Sequence, residues 1–241
     1  GERADSPKDP ATKEFLPISG YREFPESARE AFAGILMAEF LHLKEKAGIS
    51  IAVYQNDALW SRALGQSHKS VSLEVATPMG INSSSKTFLG ALVLMQIEAG
   101  LYGLNDRISD LLSGYPRYQS LDPQKVPDVT VSELLTMTSG IGHVDNLTSE
   151  RYQVMTKLDW FPIDTFHLVG YPTGVPGRLN YNQSTNSFLL GMIAEHLSEL
   201  DLQTLYQEMF FDPLSIQAVL LPGSTVPEKI AHPHGNRSHY G

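Results

Sequence analysis

The sequence predicts an α+β fold: an antiparallel sheet with flanking helices, followed by a mostly helical region. Three observations predict it. A helical stretch at residues 27–46 leads directly into a hairpin pattern at 51–64. From Ser83 onward, helical segments alternate with Pro- and Gly-rich loops. Only one short apolar run, Ile216 to Leu221, follows those helices. A lone hairpin is marginal in water and needs more strands or a covering helix. The sheet is therefore expected to be incomplete within this chain.

The elements follow in order. Residues 1–26 read as an N-terminal extension, because Gly1 to Pro10 are polar and carry no periodic pattern. Residues 27–80 start the α/β region. Ser27 is placed to cap the first helix, Glu30 to complete a capping box, and Gly48 lies just past its end. Ile51 to Tyr54 and Leu59 to Leu64 alternate as strands around the polar pair Asn56-Asp57. Residues 66–80 read as a polar connection. Residues 81–215 form the helical region, with helices expected at 84–99, 105–113, 131–137, 184–199 and 201–210. Residues 216–241 return toward the sheet and stop short of completing it.

Composition narrows the function. The 241 residues are 41% hydrophobic, enough for one large core or two smaller ones. The net charge is −9, with no Lys/Arg run, which argues against nucleic acid or an anionic membrane as partner. No cysteine is present, so disulfides, thiolate catalysis and zinc–thiolate sites are excluded. His232, His234 and His239 cluster near the C-terminus and read as a polar tail rather than a metal site. No apolar run reaches the roughly 18 residues of a transmembrane helix.

The chemistry concentrates at Ser83-Ser84-Ser85-Lys86. Residues 88–97 are almost wholly apolar and predict a helix buried all round. Ser83 and Lys86 would open it on one face. The free N–H groups of a first turn favour developing negative charge. A hydroxyl, an amine and a donor-rich helix end are thus set together, in the S-x-x-K arrangement of penicillin-binding proteins and serine β-lactamases. The plain alternative is an N-cap cluster of Asn82, Ser83, Ser84 and Ser85 beside a solvated lysine. Trp60 and Trp160 read as packing residues, with Trp160 at a loop that could also line a cleft. His143 reads as structural.

Further stretches, in order, extend the match. "TFLGALVLMQIEAGLYGLNDRISDLL" (87–112) resembles the helix and turn after the serine in class C-type β-lactamases and their relatives. "VTVSELLTMTSGI" (129–141) is similar to that family's "ITVRHLLTHTSGL" segment. "PGRLNYNQSTNSFLLGMI" (176–193) resembles the segment that carries its Tyr-x-Asn motif, and "MFFDPLSI" (209–216) its "F.PLGM". The resemblance runs from about residue 27 to 235. On it the chain is identified as a member of the serine β-lactamase-like superfamily, with its penicillin-binding proteins, D-alanyl-D-alanine carboxypeptidases, D-aminopeptidases and esterases.

The resemblance implies a β-lactamase/transpeptidase-like fold and catalysis by Ser83, Lys86 and Tyr181. Two departures stand out. Ungapped, the tyrosine of Tyr-x-Asn falls on Asn182. Tyr181 takes the role with one residue missing before it and one extra after it, and only Tyr181 has a phenol. The motif's Asn then falls on Gln183, an amide of like polarity. Gln183 and Asn182 are the expected substrate-binding residues. The third motif, Lys-Thr-Gly or His-x-Gly, has no counterpart at its usual distance. His239-Tyr240-Gly241 spells it but comes too early.

The implied activity is hydrolysis of a β-lactam, a D-amino peptide or an ester through an acyl-enzyme on Ser83. Either a neutral Lys86 or the Tyr181 phenol would take the serine's proton. The alternative is a non-catalytic binding module of the same fold, or an inactive fragment. The resemblance implies no cofactor and a small-molecule or peptide substrate. It also implies a periplasmic or secreted location, and a second chain or dimer partner is one way to complete the sheet.

Overall fold

A computed structural model of the chain describes residues 19–43, 47–68, 70–143, 161–172, 174–182, 184–220 and 231. The chain divides into two compact units, residues 1–80 with 226–241, and residues 81–225. Among the described residues, no helix is long and apolar enough to cross a membrane.

In the first unit, helix α1 spans Glu26–His42. Its start differs from the capping box expected at Ser27 and Glu30. Pro25, with φ −51°, sits at the cap, and its carbonyl accepts from Ala28 N and Arg29 N at 3.0 and 3.1 Å. Proline's φ is preset near the helical value, so the helix begins upstream of Ser27 and no side-chain cap forms. Glu26 in the first turn suits the helix dipole. Phe32 of α1 stacks on Phe24 at 5.3 Å and on Trp60 at 5.5 Å, which confirms Trp60 as a packing residue.

Strands β1 (Gly48–Gln55) and β2 (Ala58–His68) form the expected hairpin, paired from Gly48↔Gly65 to Gln55↔Ala58. Asn56 and Asp57 turn at φ 48° and 61°, the two left-handed residues of a type I′ turn, whose twist matches that of the strands. Residues 66–80 are not simply a connection. Gln66 to His68 continue β2, and Val71–Ser72 add a short third strand, β3, after an irregularity between Gln66 and His68. The described sheet has three antiparallel strands in the order β1-β2-β3, with β1 and β3 at its edges. At Gly65, with φ +84°, a Cβ would lie 2.0 Å from the Ala47 carbonyl oxygen, so only glycine fits.

The second unit holds the larger core. Helix α2 is Lys86–Glu98, α3 Ile108–Leu111, α4 Val131–Leu135, α5 Thr185–Ser198 and α6 Leu202–Tyr206. Every expected helix of this region is present, and each is shorter than expected. The last one ends at Tyr206, where a π turn, Gln207–Phe211, takes over. The core joins Leu89, Leu92 and Val93 of α2 to Leu189, Met192 and Ile193 of α5, with Ile108, Val131, Leu134 and Ile141 around them. Full burial of one such side chain contributes about 1.5–3 kcal/mol. Helix α2 is not buried all round, since Leu94 is exposed. Its buried Gln96 donates to the Ala194 carbonyl at 3.2 Å and accepts from the Tyr102 hydroxyl at 2.7 Å, tying α2 to α5. The run 216–220 forms no strand; Ile216, Ala218 and Leu220 pack against this core.

Glu195 of α5 is partly buried and accepts from Leu202 N at 2.8 Å. Burial pushes its carboxyl above the ordinary range, the Leu202 bond opposes the rise, and the Asp201 charge adds to it. A raised folded pKa means that Glu195's contribution is fully present below its unfolded pKa, about 4.3. It is lost as pH rises through the folded value. Glu195→Gln keeps an acceptor for Leu202 and removes the charge. Thermal melts should show the variant more stable than wild type at neutral pH, with the gap closing below about pH 4. A variant less stable at pH 7 would show that the Leu202 bond needs the carboxylate.

Candidate active site

Residues Asn82–Ser85 form a single 3₁₀ turn that runs into α2. Asn82 adopts φ 47°, and the Ser85 hydroxyl donates to its carbonyl at 2.6 Å, closing the turn. The Lys86 N–H bonds back to the carbonyls of Ser83 and Ser84. Neither the turn nor α2 takes a side-chain cap hydrogen bond, so the serine cluster is not an N-cap. Ser83 is exposed and Lys86 half-buried. Across this one turn the Lys86 Nζ donates to the Ser83 Oγ at 2.9 Å.

What holds the turn is aromatic. Phe88, two residues past Lys86, lies 5.5 Å from the Phe210 ring, 5.8 Å from Phe211 and 6.1 Å from Tyr206. The end of α6 and the π turn after it pack these rings against the first turn of α2. Aromatic pairs in such tilted and edge-on arrangements contribute about 0.5–1.5 kcal/mol each beyond area burial.

Tyr181 comes from a separate segment of the same unit. Helix α4 opens with a capping box: Thr130 Oγ1 accepts from Glu133 N at 3.2 Å, and the Glu133 carboxylate accepts from Thr130 N at 2.8 Å. After α4 the chain turns through Met137 at φ 57°. The carbonyls of Met137 and Thr138 accept from Asn180 N at 2.8 Å and Gly177 N at 2.9 Å. Gly142 lies so close to the 170–171 backbone that a Cβ would be 2.4 Å from the Gly170 carbonyl oxygen. His143 contributes its carbonyl, which accepts from Gly170 N at 3.1 Å. Segment 174–182 is thereby pinned to segment 137–142, and Tyr181 stands at its end.

Tyr181 is 51% exposed, and the Lys86 Nζ sits 5.6 Å from its ring centroid. The phenol's pKa is lowered. Hydrogen bonding to the Ser83 hydroxyl is the largest cause, hydrogen bonding to Lys86 the next, and the Lys86 charge adds to both against slight desolvation. Ser83, Lys86 and Tyr181 are thus brought together.

Asn182, the alternative in the tyrosine's place, turns the other way and is 1% exposed. Its Nδ2 donates to the carbonyls of Ile141 and Gly142 at 3.1 and 2.9 Å. Its Oδ1 accepts from Ser184 N, Thr185 N and Asn186 N at 3.1, 2.6 and 3.3 Å. An amide offers two donors and two acceptor lone pairs, so none is left for a substrate. Gln183, Trp160 and the 232–241 tail lie outside the described residues.

Sequence reasoning did not single out the buried polar network beside Asn182. The Ser139 hydroxyl donates to Asn186 Oδ1 at 2.9 Å, Asn186 Nδ2 donates to the Leu134 carbonyl at 3.1 Å, and Thr185 Oγ1 donates to the Gly142 carbonyl at 3.0 Å. The available signal was a serine after α4 and a Thr-Asn pair opening the apolar α5. Their burial only the fold reveals.

Comparison with known proteins gives the same direction. The family model described as Beta-lactamase matches residues 36–232. "Penicillin-binding protein 4" of Amycolatopsis lactamdurans is 28% identical over 190 residues, 78% of this chain and 48% of its own length. The D-amino acid amidase from Ochrobactrum anthropi SV3, in complex with D-phenylalanine, superposes at TM-score 0.68 with 19% identity, over 86% of this chain and 56% of that one. EstCE1, a hydrolase with promiscuous acyltransferase activity, superposes at TM-score 0.66 with 17% identity, over 86% and 57%. At these identities the two structures establish the fold. The chain spans about half the length of the curated relative it matches.

The electrostatics of the cluster are testable on the phenol itself. Lys86→Met and Ser83→Ala should each raise the Tyr181 titration midpoint toward the ordinary value of about 10. Carbon-13 NMR of ring-labelled tyrosine reads that midpoint. An unchanged midpoint in both variants would mean that neither group reaches the phenol in solution.

Proposed function

This chain belongs to the Beta-lactamase family, and from that premise we propose that it acts as a serine hydrolase with Ser83 as nucleophile. The substrate class is a carboxylic acid derivative: a β-lactam, a D-amino peptide or an ester. The observation that carries this reading is the 2.9 Å bond from Lys86 Nζ to Ser83 Oγ, with the Tyr181 ring beside the same ammonium.

A free serine hydroxyl is a poor nucleophile and needs a neighbouring base. In this reading Lys86, 2.9 Å from the serine oxygen, acts as a fixed cation and leaves the role of base to Tyr181. Its charge favours the phenolate of Tyr181, whose pKa is already lowered. Tyr181 then takes the Ser83 proton as Oγ attacks the substrate carbonyl carbon. The bond to the leaving group breaks, the tyrosine returns the proton to that group, and an acyl ester remains on Ser83. Water attacks the ester with the same tyrosine as base, releasing the acid and the free serine. The relatives named for penicillin binding, amide hydrolysis and acyl transfer all fit this sequence of steps. General-base assistance is typically worth 10²–10⁴-fold, about 3–6 kcal/mol at 1.4 kcal/mol per tenfold.

Intact-mass spectrometry after incubation with a fluorophosphonate or a fluorescent penicillin should show one adduct, mapped to Ser83. An adduct that persists in Ser83→Ala would refute the assignment. Lys86→Ala should fold normally and, by removing the charge that makes Tyr181 an effective base, acylate at least about a hundredfold more slowly, the low end of general-base assistance. Equal rates in variant and wild type would remove lysine from the mechanism.

A further inference from the structure

We propose that Asn182 is a positioning residue for Tyr181: its buried amide locks the backbone beside the tyrosine between segment 141–142 and the first turn of α5. The side chain bridges two pieces of chain that no regular secondary structure joins. Its two N–H groups reach two successive carbonyls, Ile141 and Gly142. Its oxygen collects the N–H groups of residues 184, 185 and 186, three of the donors that a helix start leaves without partners. Among short side chains only asparagine supplies both sets at once. Aspartate would cap α5 but set a buried charge against two carbonyl oxygens. Serine would cap but not span. The two neighbours face differently: Asn182 is buried, whereas Tyr181 is half exposed. With Asn182 held inward by its five bonds, the adjoining Tyr181 ring lies outward, beside the Lys86 ammonium.

The network around Asn182 supplies an internal control. Asn186 is equally buried and bonds Ser139 and the Leu134 carbonyl, but it lies a helical turn away from the tyrosine. Loss of either amide leaves buried polar groups unsatisfied, which costs stability. Both truncations should therefore lower stability. Only the loss of Asn182 should release Tyr181.

The inference rests on the reading of Tyr181 as the proton acceptor of Ser83 for its bearing on catalysis, but the placement is measured without any substrate. In Asn182→Ala the Tyr181 midpoint, read by carbon-13 NMR, should rise toward that of an ordinary exposed tyrosine. In Asn186→Ala it should stay at the wild-type value despite a lowered melting temperature. Should Asn182→Ala not fold, Asn182→Ser keeps a hydroxyl to cap α5 and gives the same readout. A midpoint unmoved in the Asn182 variants, or moved as far in Asn186→Ala, would overturn the proposal. A midpoint that moves as expected in a protein whose Ser83 takes no acyl group would leave Asn182's role standing and refute the hydrolase reading alone.

Discussion

The bond from Lys86 Nζ to Ser83 Oγ depends on one constraint, the turn at residues 82–86. A lysine one turn beyond a serine can reach it only if that turn is helical and held still. The 3₁₀ turn brings the two residues onto one face, and the Ser85–Asn82 bond closes it. Phe88, packed against Phe210 and Phe211, anchors the start of α2 to the far end of the same unit. An exposed Lys–Ser pair on a loose loop would contribute little, because ordering a long side chain costs entropy. Here the core of the unit has already fixed the backbone, and the lysine needs only to settle over the serine.

Tyr181 depends on a second constraint, of a different kind. No regular element carries it to the site. Segment 174–182 is held by backbone bonds to the carbonyls of Met137 and Thr138, and by the buried amide of Asn182. Buried polar groups are costly unless every partner is met. Fully met, as the amide of Asn182 is, they specify one arrangement in a way that apolar packing does not. The unit thus combines an apolar core between α2 and α5, which gives stability, with a polar seam at 137–142 and 180–186, which gives direction.

The sequence carried much of this. The hairpin around Asn56-Asp57 was legible from alternation and turn chemistry, and the S-x-x-K pair from spacing on a helix. The second unit's helices were legible as apolar runs, though their ends were not. A 3₁₀ turn opens α2 and a π turn takes over from α6, and neither leaves a periodic signature, so α6 stops at Tyr206 rather than 210. The cap of α1 was misread because Ser27 and Glu30 fit a local pattern that Pro25 pre-empts from outside it. Tyr181 and Asn182 were separable in sequence only by chemical type. What distinguishes them is burial, a property of the whole fold. The third strand at Val71–Ser72 is two residues long and carries no alternation to read.

The central claim is that Ser83, Lys86 and Tyr181 act as one proton-transfer unit rather than as three independent contributors. The most direct measurement is a double-mutant cycle on the rate of Ser83 acylation, using Lys86→Ala, Tyr181→Phe and the two combined. Residues that act as a unit are strongly non-additive. The double variant should therefore acylate no more slowly than the slower single variant, within a factor of about three. Losses that multiply across the cycle would show that lysine and tyrosine work separately, and would contradict the account.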